Sequence, residues 1–186
     1  MEKGVFIPRP ETEKLVQRVI DEAKNLEKPK IADVGTGCGA IAIAIASNVK
    51  DALIYAIDIS DRAIRLARRN IKRLGIKNIK LLKGDLLTPL PTKVNIIVAN
   101  LPYIRDDELK ALPREIREYE PPESYMGGED GLLFIRRLLE DADLYLEDGS
   151  IFLEVSTSTG EGALQIAEEK FKGRDIKLED NILIIS

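Results

Sequence analysis

The sequence has no histidine and no tryptophan, and Cys38 is its single cysteine. Without histidine there is no histidine general base, no Ser-His-Asp triad and no histidine metal ligand. One cysteine excludes an intrachain disulfide and a zinc site built from several cysteines. We therefore expect no metal site, and any catalysis has to depend on carboxylates, amides, hydroxyls and backbone groups.

Long apolar runs are also missing. The longest one, at residues 40–46, is too short to cross a bilayer, and residues 1–4 lack the apolar core of a signal peptide. We therefore expect a cytoplasmic protein with no membrane partner. The 186 residues, 44% hydrophobic and 32% charged, suit one catalytic domain over 1–186. The net charge of −4 argues against a protein that wraps nucleic acid.

Short apolar strands alternate with helical segments along the chain. Apolar residues recur with helical spacing over 11–27, and Pro29 is predicted to end that helix. Strand–helix alternation predicts an α/β fold, a doubly wound, mainly parallel, seven-stranded sheet of the Rossmann-like type with a C-terminal antiparallel hairpin. The predicted strands lie at 30–34, 52–57, 78–82, 94–99, 150–155, 176–178 and 182–185, and the later helices at 40–47, 61–74, 131–146 and 161–171.

Local residues predict where several of these helices begin and end. Ser60 is a suitable N-cap and Gly75 a suitable C-cap for the helix between them. Asp130 is predicted to cap the helix that starts at Gly131. The longest irregular stretch is 101–130, and a loop of that length inside a compact domain is usually functional.

A strand that runs into a glycine-rich turn is the strongest local signal. Residues 33–39 read Asp-Val-Gly-Thr-Gly-Cys-Gly, and a helix follows. Glycines let the backbone approach a ligand closely, and Asp58 ends the next strand 19 residues after Gly39, where a carboxylate can accept both ribose hydroxyls. The spacing G-x-G-x-G differs from the dinucleotide pattern, and no P-loop lysine follows it. The turn therefore favours a nucleoside without phosphates over a ligand-free turn.

S-adenosyl-L-methionine, with S-adenosyl-L-homocysteine as product, fits this requirement because its methionine end carries a carboxylate and an ammonium. Asp33 can help hold the ammonium, and the N–H groups of the turn can face the carboxylate. Asp85 offers a carboxylate to the adenine amino group and Leu86 an apolar wall to the ring, whereas Cys38 is interpreted as a small turn residue. The predicted cofactor-binding residues are Asp33, Gly35, Thr36, Gly37, Cys38, Gly39, Asp58, Asp85 and Leu86.

The fourth strand ends in Asn-Leu-Pro-Tyr at 100–103, on the sheet edge where ligands of open parallel sheets bind. Asn100 offers a side-chain carbonyl, Pro102 a free main-chain carbonyl and Tyr103 a flat face for stacking. Fixed acceptors of this kind hold the hydrogens of a planar amide or aromatic amine and align its lone pair with a sulfonium methyl group. We therefore predict that Asn100, Pro102 and Tyr103 are catalytic, unless the tetrapeptide merely ends the strand.

Four blocks together resemble the protein-(glutamine-N5) methyltransferases that modify peptide-chain release factors. They are Phe-Ile-Pro-Arg-Pro-Glu-Thr-Glu at 6–13, the turn with its following Ala-Ile-Ala, the block at 100–103, and Glu120-Pro121 leading to Gly-Gly-Glu-Asp-Gly-Leu at 127–132. The resemblance implies a class I methyltransferase fold, S-adenosylmethionine as donor and the Gly-Gly-Gln loop of a release factor as acceptor. It also implies that Asn100 is a cofactor-binding residue. The substrate-binding residues that it implies are Arg9, Thr12, Asn100, Leu101, Pro102 and Tyr103.

Two other functions stay open at the level of sequence. Leu101 replaces the first proline of the Asn-Pro-Pro-Tyr block, and Asn-Leu-Pro-Tyr looks like the block of adenine-dimethylating ribosomal RNA enzymes. An amino-methyltransferase that stacks a flipped adenine or cytosine of RNA or DNA on Tyr103 is therefore the first alternative. Members of the resembling family carry a helical docking domain before the catalytic block, which here begins near Met1. A cofactor-binding subunit that needs a docking partner in trans is thus the second alternative.

Overall fold

One seven-stranded sheet forms the centre of the molecule in the computed structural model, which describes residues 11–186. Its strands are β1 (Lys30–Val34), β2 (Leu53–Asp58), β3 (Ile79–Lys83), β4 (Val94–Ala99), β5 (Leu146–Glu154), β6 (Ile176–Glu179) and β7 (Ile182–Ile185). They are ordered β3-β2-β1-β4-β5-β7-β6, with β1 to β5 parallel and β7 antiparallel to both of its neighbours. The predicted doubly wound sheet with its terminal antiparallel hairpin is confirmed.

Helices cover both faces of this sheet. Among the described residues they are α1 (Glu11–Ala23), α2 (Ala40–Asn48), α3 (Asp61–Leu74), α4 (Arg114–Tyr119), α5 (Leu133–Tyr145) and α6 (Gly160–Lys170). One core joins α1 and α2 to the sheet and the other joins α5 and α6 to its opposite face. Within residues 11–186, no helix has both the length and the apolar character of a membrane span.

Side-chain alternation along the strands explains why two cores form. In β1, Ile31 belongs to the core under α1 and α2, whereas Ala32 and Val34 belong to the core under α5 and α6. Successive side chains of a strand point to opposite faces, so a strand covered on both sides is apolar throughout. The Ile-Ala repeat of α2 is also buried against the sheet, and its small alanines let the helix lie close to it. The prediction that this repeat forms a helix is confirmed.

The ends of α3 agree with the sequence prediction. Ser60 Oγ accepts a hydrogen bond from the Ala63 N–H at 3.4 Å. Gly75 follows the helix in the left-handed conformation, with φ +67°, which a residue without Cβ adopts at little cost. The basic side chains of this helix are exposed, and they are Arg62, Arg65, Arg68, Arg69, Lys72 and Arg73.

Two predicted helix boundaries are wrong. The first helix ends at Ala23 instead of running to Pro29, because the chain tightens there and the Asn25 side chain donates to the Asp21 carbonyl at 3.0 Å. Asp130 does not cap α5, which begins at Leu133. Gly131 has φ +73°, a left-handed conformation that residues inside a right-handed helix do not adopt, so Gly131 cannot be the first residue of α5.

The terminal hairpin is tied to the first helix by ion pairs. Asp180 and Asn181 form its tight turn with positive φ values, as hairpin turns require. Lys14 Nζ lies 2.9 Å from Asp180 Oδ1, and Arg18 Nη1 lies 2.9 Å from Glu179 Oε2. These exposed pairs contribute little energy each, but they hold α1 at the sheet edge where its first turn enters the candidate site.

Candidate active site

A cavity of about 340 Å³ opens at the carboxyl edge of the sheet, beside the ends of β1, β2 and β4. This volume falls within the range of small-molecule sites. Of the predicted site residues, those that line it are Thr12, Gly35, Thr36, Gly37, Cys38, Asp58, Asp85, Leu86, Asn100, Leu101 and Pro102. Asp33, Gly39 and Tyr103 lie outside its lining, and Arg9 lies outside the described residues.

The carboxylate of Asp58 joins the glycine turn to the end of β2. Its Oδ2 accepts a hydrogen bond from the Gly37 N–H at 2.8 Å, and its Oδ1 accepts from the Ser60 N–H at 2.8 Å. Burial raises the pKa of Asp58, and these backbone donors oppose that rise. A carboxylate has about four lone-pair sites, so it can hold the turn and still accept from ligand hydroxyls.

Two positions of the turn need glycine because neighbouring side chains lie close to the backbone there. Gly35 has φ +75°, and a Cβ there would lie 3.1 Å from Leu101 Cδ2. Gly39 has φ +85°, and its Cβ would lie 3.2 Å from Ala67 Cβ on α3. Gly35 therefore lets the turn meet the residues after β4, whereas Gly39 allows α3 to pack closely against the start of α2.

Asp33 is fully buried beneath the turn instead of facing the cavity. Its Oδ2 accepts from Thr36 Oγ1 at 2.6 Å and from the Ala42 N–H at 3.0 Å. Oδ1 accepts no hydrogen bond from the part of the chain that the structure describes. Burial raises the pKa of Asp33 to about 7. The geometry makes Asp33 a support of the turn, and its contact with a ligand ammonium stays a prediction.

We expect the Asp33→Asn variant to change how stability depends on pH. The pKa of Asp33 is 3.8 when exposed and about 7 when folded, so between those values the folded state holds a proton that the unfolded chain has released. Its contribution to stability is therefore fully present below about pH 4 and is lost progressively as the pH rises to about 7. Asparagine can still accept from Thr36 and Ala42 but carries no charge.

Urea unfolding of both proteins at pH 5 and pH 8 measures this contribution. Relative to Asp33→Asn, the wild-type protein should lose about 3 kcal/mol of stability between the two pH values. A constant difference between the two proteins would contradict a raised pKa at Asp33.

Cys38 behaves as the small turn residue that the sequence suggests. It is partly buried, and this burial raises the pKa of its thiol, the opposite of what a reactive thiolate needs. Its carbonyl accepts from Asn70 Nδ2 at 2.9 Å, a contact that ties α3 to the turn.

Thr12 and Asn100 meet across 88 residues of sequence. Asn100 Nδ2 donates to Thr12 Oγ1 at 3.2 Å, and the Thr12 side chain is 5% exposed. This bond fixes the amide so that its NH₂ group faces Thr12. The Asn100 carbonyl oxygen is thereby available to a donor in the cavity, which both residues line.

Tyr103 is held by a carboxylate that sequence reasoning missed. Its hydroxyl donates to Glu154 Oε1 at 3.4 Å, and Glu154, the last residue of β5, is 4% exposed. An acid that ends an apolar strand at the same sheet edge as Asp58 is the sequence signal that would have identified it.

The turn at 127–131 packs directly on the backbone after β4. Gly127 N–H donates to the Ile104 carbonyl at 2.7 Å, and Ile104 N–H donates to the Tyr125 carbonyl at 2.9 Å. A Cβ at Gly127 would lie 2.7 Å from Tyr103 Cα and 2.8 Å from the Gly131 carbonyl oxygen. The glycine block of the fourth resembling segment is therefore a support for Tyr103.

Gly127→Ala should move Tyr103 and destabilise the protein, because its methyl group would meet backbone atoms that cannot rotate away. Overpacking of this kind typically costs about 1–3 kcal/mol. Urea unfolding should show that loss, and transfer activity should fall more than cofactor affinity, since the clash lies on the Tyr103 side of the site. Unchanged stability and activity would contradict the tight packing.

Further lining residues come from the segment after α4 and from α5, and sequence reasoning did not select them. They are Pro121, Glu123, Ser124, Phe134 and Arg137. Arg137 Nη2 lies 2.6 Å from Asp85 Oδ2, so a predicted cofactor ligand is already paired with a cation. The helical spacing of α5 identifies its buried side, but Phe134 and Arg137 line the cavity only because of how the helix packs in the fold.

Comparison with known proteins gives a consistent family assignment. A family model described as "Methyltransferase small domain" matches residues 10–116. The release factor glutamine methyltransferase of Thermodesulfovibrio yellowstonii is 42% identical over 169 residues, which are 89% of this chain and 61% of that protein. The one from Bacillus subtilis is 34% identical over 186 residues, 96% of this chain and 64% of that protein. The chain thus spans about three fifths of the length of these relatives.

Solved structures share the fold at lower identity. The ribosomal protein L11 methylase from Lactobacillus delbrueckii subsp. bulgaricus superposes with a TM-score of 0.68 at 24% identity, covering 98% of this chain and 79% of that one. TrmN from Thermus thermophilus gives a TM-score of 0.65 at 19% identity, covering 92% of this chain and 47% of that one. At such identities the likeness establishes the fold alone.

Proposed function

Because the chain belongs to the methyltransferase small-domain family, we propose that it methylates the side-chain amide nitrogen of a glutamine in a protein. The methyl donor is S-adenosylmethionine. The acceptor is the Gly-Gly-Gln loop of a peptide-chain release factor, by analogy with the named activity of the relatives. We also propose that residues 1–186 act as one catalytic domain, because a single sheet joins β1 to β7.

One observation carries this proposal. Asn100 and Thr12 line the same cavity as the glycine turn and Asp58, and Thr12 holds the Asn100 amide by its NH₂ group. A carbonyl oxygen fixed in this way accepts from a planar NH₂ group, which a glutamine side chain presents. The methyl acceptor and the methyl donor would therefore meet in one cavity.

The residues at the cavity suit S-adenosylmethionine in polarity and charge. Asp58 can accept from ribose hydroxyls, Asp85 from the adenine amino group, and Leu86 gives an apolar wall. Gly35 and Gly37 bring backbone close to the ligand without side chains in the way. Asp33 adds a buried acid under the turn whose Oδ1 has no donor within residues 11–186, and a ligand ammonium would stabilise its ionised form.

Catalysis depends on positioning in this scheme. When bound, S-adenosylmethionine would supply an electrophilic methyl carbon on a sulfonium sulfur and would leave as a neutral thioether, its C–S bond being replaced by the new N–C bond. Water would take the proton that the amide nitrogen loses. Asn100 and the Pro102 carbonyl hold the two amide hydrogens and turn the nitrogen lone pair toward the methyl carbon. Tyr103, held by Glu154, gives a flat surface for the acceptor amide. No histidine or metal ligand is needed for these roles.

A comparison of acceptors tests the function. The protein is incubated with methyl-labelled S-adenosylmethionine and either a release factor or ribosomal RNA. Label on the release factor, lost when the glutamine of its Gly-Gly-Gln loop is changed to alanine, is the expected result. Methylated glutamine in a peptide digest identifies the modified nitrogen.

The other outcomes separate the alternatives. Label on RNA alone would reject the protein acceptor and favour a base amino group stacked on Tyr103. Cofactor binding without transfer to either acceptor would favour a subunit that requires a docking partner.

A further inference from the structure

Arg137 forms an ion pair inside the candidate site that the mechanism above does not use. Its Nη2 lies 2.6 Å from Asp85 Oδ2, and both residues line the cavity. The two side chains come from different parts of the fold, because Asp85 follows β3 and Arg137 lies on α5, 52 residues later. The pair therefore joins the loop after β3 to α5 at the cavity.

We propose that Arg137 is a positioning residue for the nucleobase: it fixes the Asp85 carboxylate so that the free oxygen accepts the adenine amino group. This inference rests on the proposed function, since it takes S-adenosylmethionine as the ligand. Arg137 thereby contributes to selection of adenine over a base that carries an oxygen at the same position.

The geometry of the carboxylate supports this role. The guanidinium occupies Oδ2, and no described residue donates a hydrogen bond to Oδ1. An aspartate side chain on a loop otherwise rotates among several orientations, and ordering it on binding costs affinity. Because the guanidinium holds one carboxylate oxygen of Asp85, the other oxygen stays in a single orientation. The conformational entropy of the side chain is therefore already lost before the ligand binds.

Phe134 is a second residue of α5 at the cavity. It lies three residues before Arg137 on α5 and also lines the cavity, and both Phe134 and Leu86 pack against the core under α5 and α6. Residues three apart lie on the same side of a helix. The first two turns of α5 thus present one aromatic ring and one guanidinium to the cavity that Asp85 and Leu86 face from the loop after β3.

The neighbouring Arg136 provides a matched control. It also pairs with an aspartate, since its Nη2 lies 2.8 Å from Asp130 Oδ2, and its side chain is similarly exposed at 50% against 44% for Arg137. Arg136 does not line the cavity. Loss of charge and loss of one ion pair are therefore common to both variants, whereas loss of the Asp85 contact is specific to Arg137.

Titration calorimetry with two ligands tests the inference. The ligands are S-adenosylhomocysteine and S-inosylhomocysteine, which has an oxygen in place of the adenine amino group. Arg137→Gln should bind S-adenosylhomocysteine about tenfold more weakly than the wild-type protein, because the Asp85 carboxylate then has to be ordered on binding, and its preference for adenine should shrink. Arg136→Gln should match the wild type within about twofold. Arg137→Lys, which keeps the charge without the planar fork, should be intermediate.

A double-mutant cycle distinguishes positioning from direct contact. If Arg137 acts through Asp85, the double variant Asp85→Ala/Arg137→Gln should bind S-adenosylhomocysteine no more weakly than Asp85→Ala alone. Additive losses, or equal affinity of Arg137→Gln and Arg136→Gln, would overturn the inference and leave the proposed function intact. Failure of the wild-type protein to bind S-adenosylhomocysteine would overturn both.

Discussion

Asn100→Ala is expected to lower the rate of methyl transfer by about 10²- to 10³-fold, the effect usually seen when one preorganised hydrogen-bonding group at a reacting centre is removed. The variant lacks the carbonyl oxygen that would hold the acceptor amide. It also leaves Thr12 Oγ1 without the bond that Asn100 Nδ2 donates at 3.2 Å. Turnover with saturating release factor and labelled S-adenosylmethionine measures the loss.

Cofactor affinity is the control for this variant. The other predicted contacts to the cofactor, including the glycine turn and Asp58, are unchanged, so the dissociation constant for S-adenosylhomocysteine should stay within a few-fold of wild type. Thr12→Val keeps the shape at position 12 but removes the acceptor for Asn100 Nδ2, and we expect about a tenfold slower transfer because the amide is then free to rotate. A wild-type rate in Asn100→Ala would refute the proposed amide clamp.

Asp58→Ala is expected to weaken S-adenosylhomocysteine binding by about 100-fold, the scale of a lost hydrogen bond to a charged group together with loosening of the turn. In the folded protein Asp58 accepts from Gly37 N–H and Ser60 N–H, both at 2.8 Å. Its removal takes away the predicted acceptor for the ribose hydroxyls and leaves these two N–H groups without their partner. Titration calorimetry gives the dissociation constant directly.

Two further variants identify the origin of that effect. Asp58→Asn keeps one acceptor oxygen and should recover part of the affinity. Asp61→Ala is the matched control, because Asp61 is an exposed aspartate on the same segment that pairs with Lys83 and lies outside the cavity lining. Unaltered affinity in Asp58→Ala would contradict the ribose role, whereas a loss in Asp61→Ala would point to general electrostatics.

Opposite effects of the two alanine variants would show that one side of the cavity serves methyl transfer and the other serves cofactor binding. Asn100→Ala should bind and transfer slowly, and Asp58→Ala should bind weakly. At saturating cofactor, Asp58→Ala should approach the wild-type rate, because the acceptor side with Thr12 and Asn100 is unchanged. This separation follows from the structure, where the glycine turn and the residues after β4 contact the cavity from neighbouring strands.

Much of the fold was predictable from sequence because its signals are local. Strands such as β1 and β4 were placed correctly at 30–34 and 94–99, since short apolar runs that end in turn residues define them. The end of α1 and the start of α5 were not. They depend on the Asn25 side chain and on the positive φ of Gly131. A side-chain hydrogen bond or a backbone angle at one residue can end a helix that the apolar pattern would continue.

The sequence by itself determined the sheet, the glycine turn and the Asn-Leu-Pro-Tyr block. Each of these features depends on residues that are close together in the sequence, and backbone geometry sets their spacing. Only the tertiary structure decided that Thr12 holds Asn100, that Glu154 holds Tyr103 and that Arg137 holds Asp85. It also buried Asp33 beneath the turn. Partners 51 to 88 residues apart meet only when strands and helices have packed, so no local pattern records them.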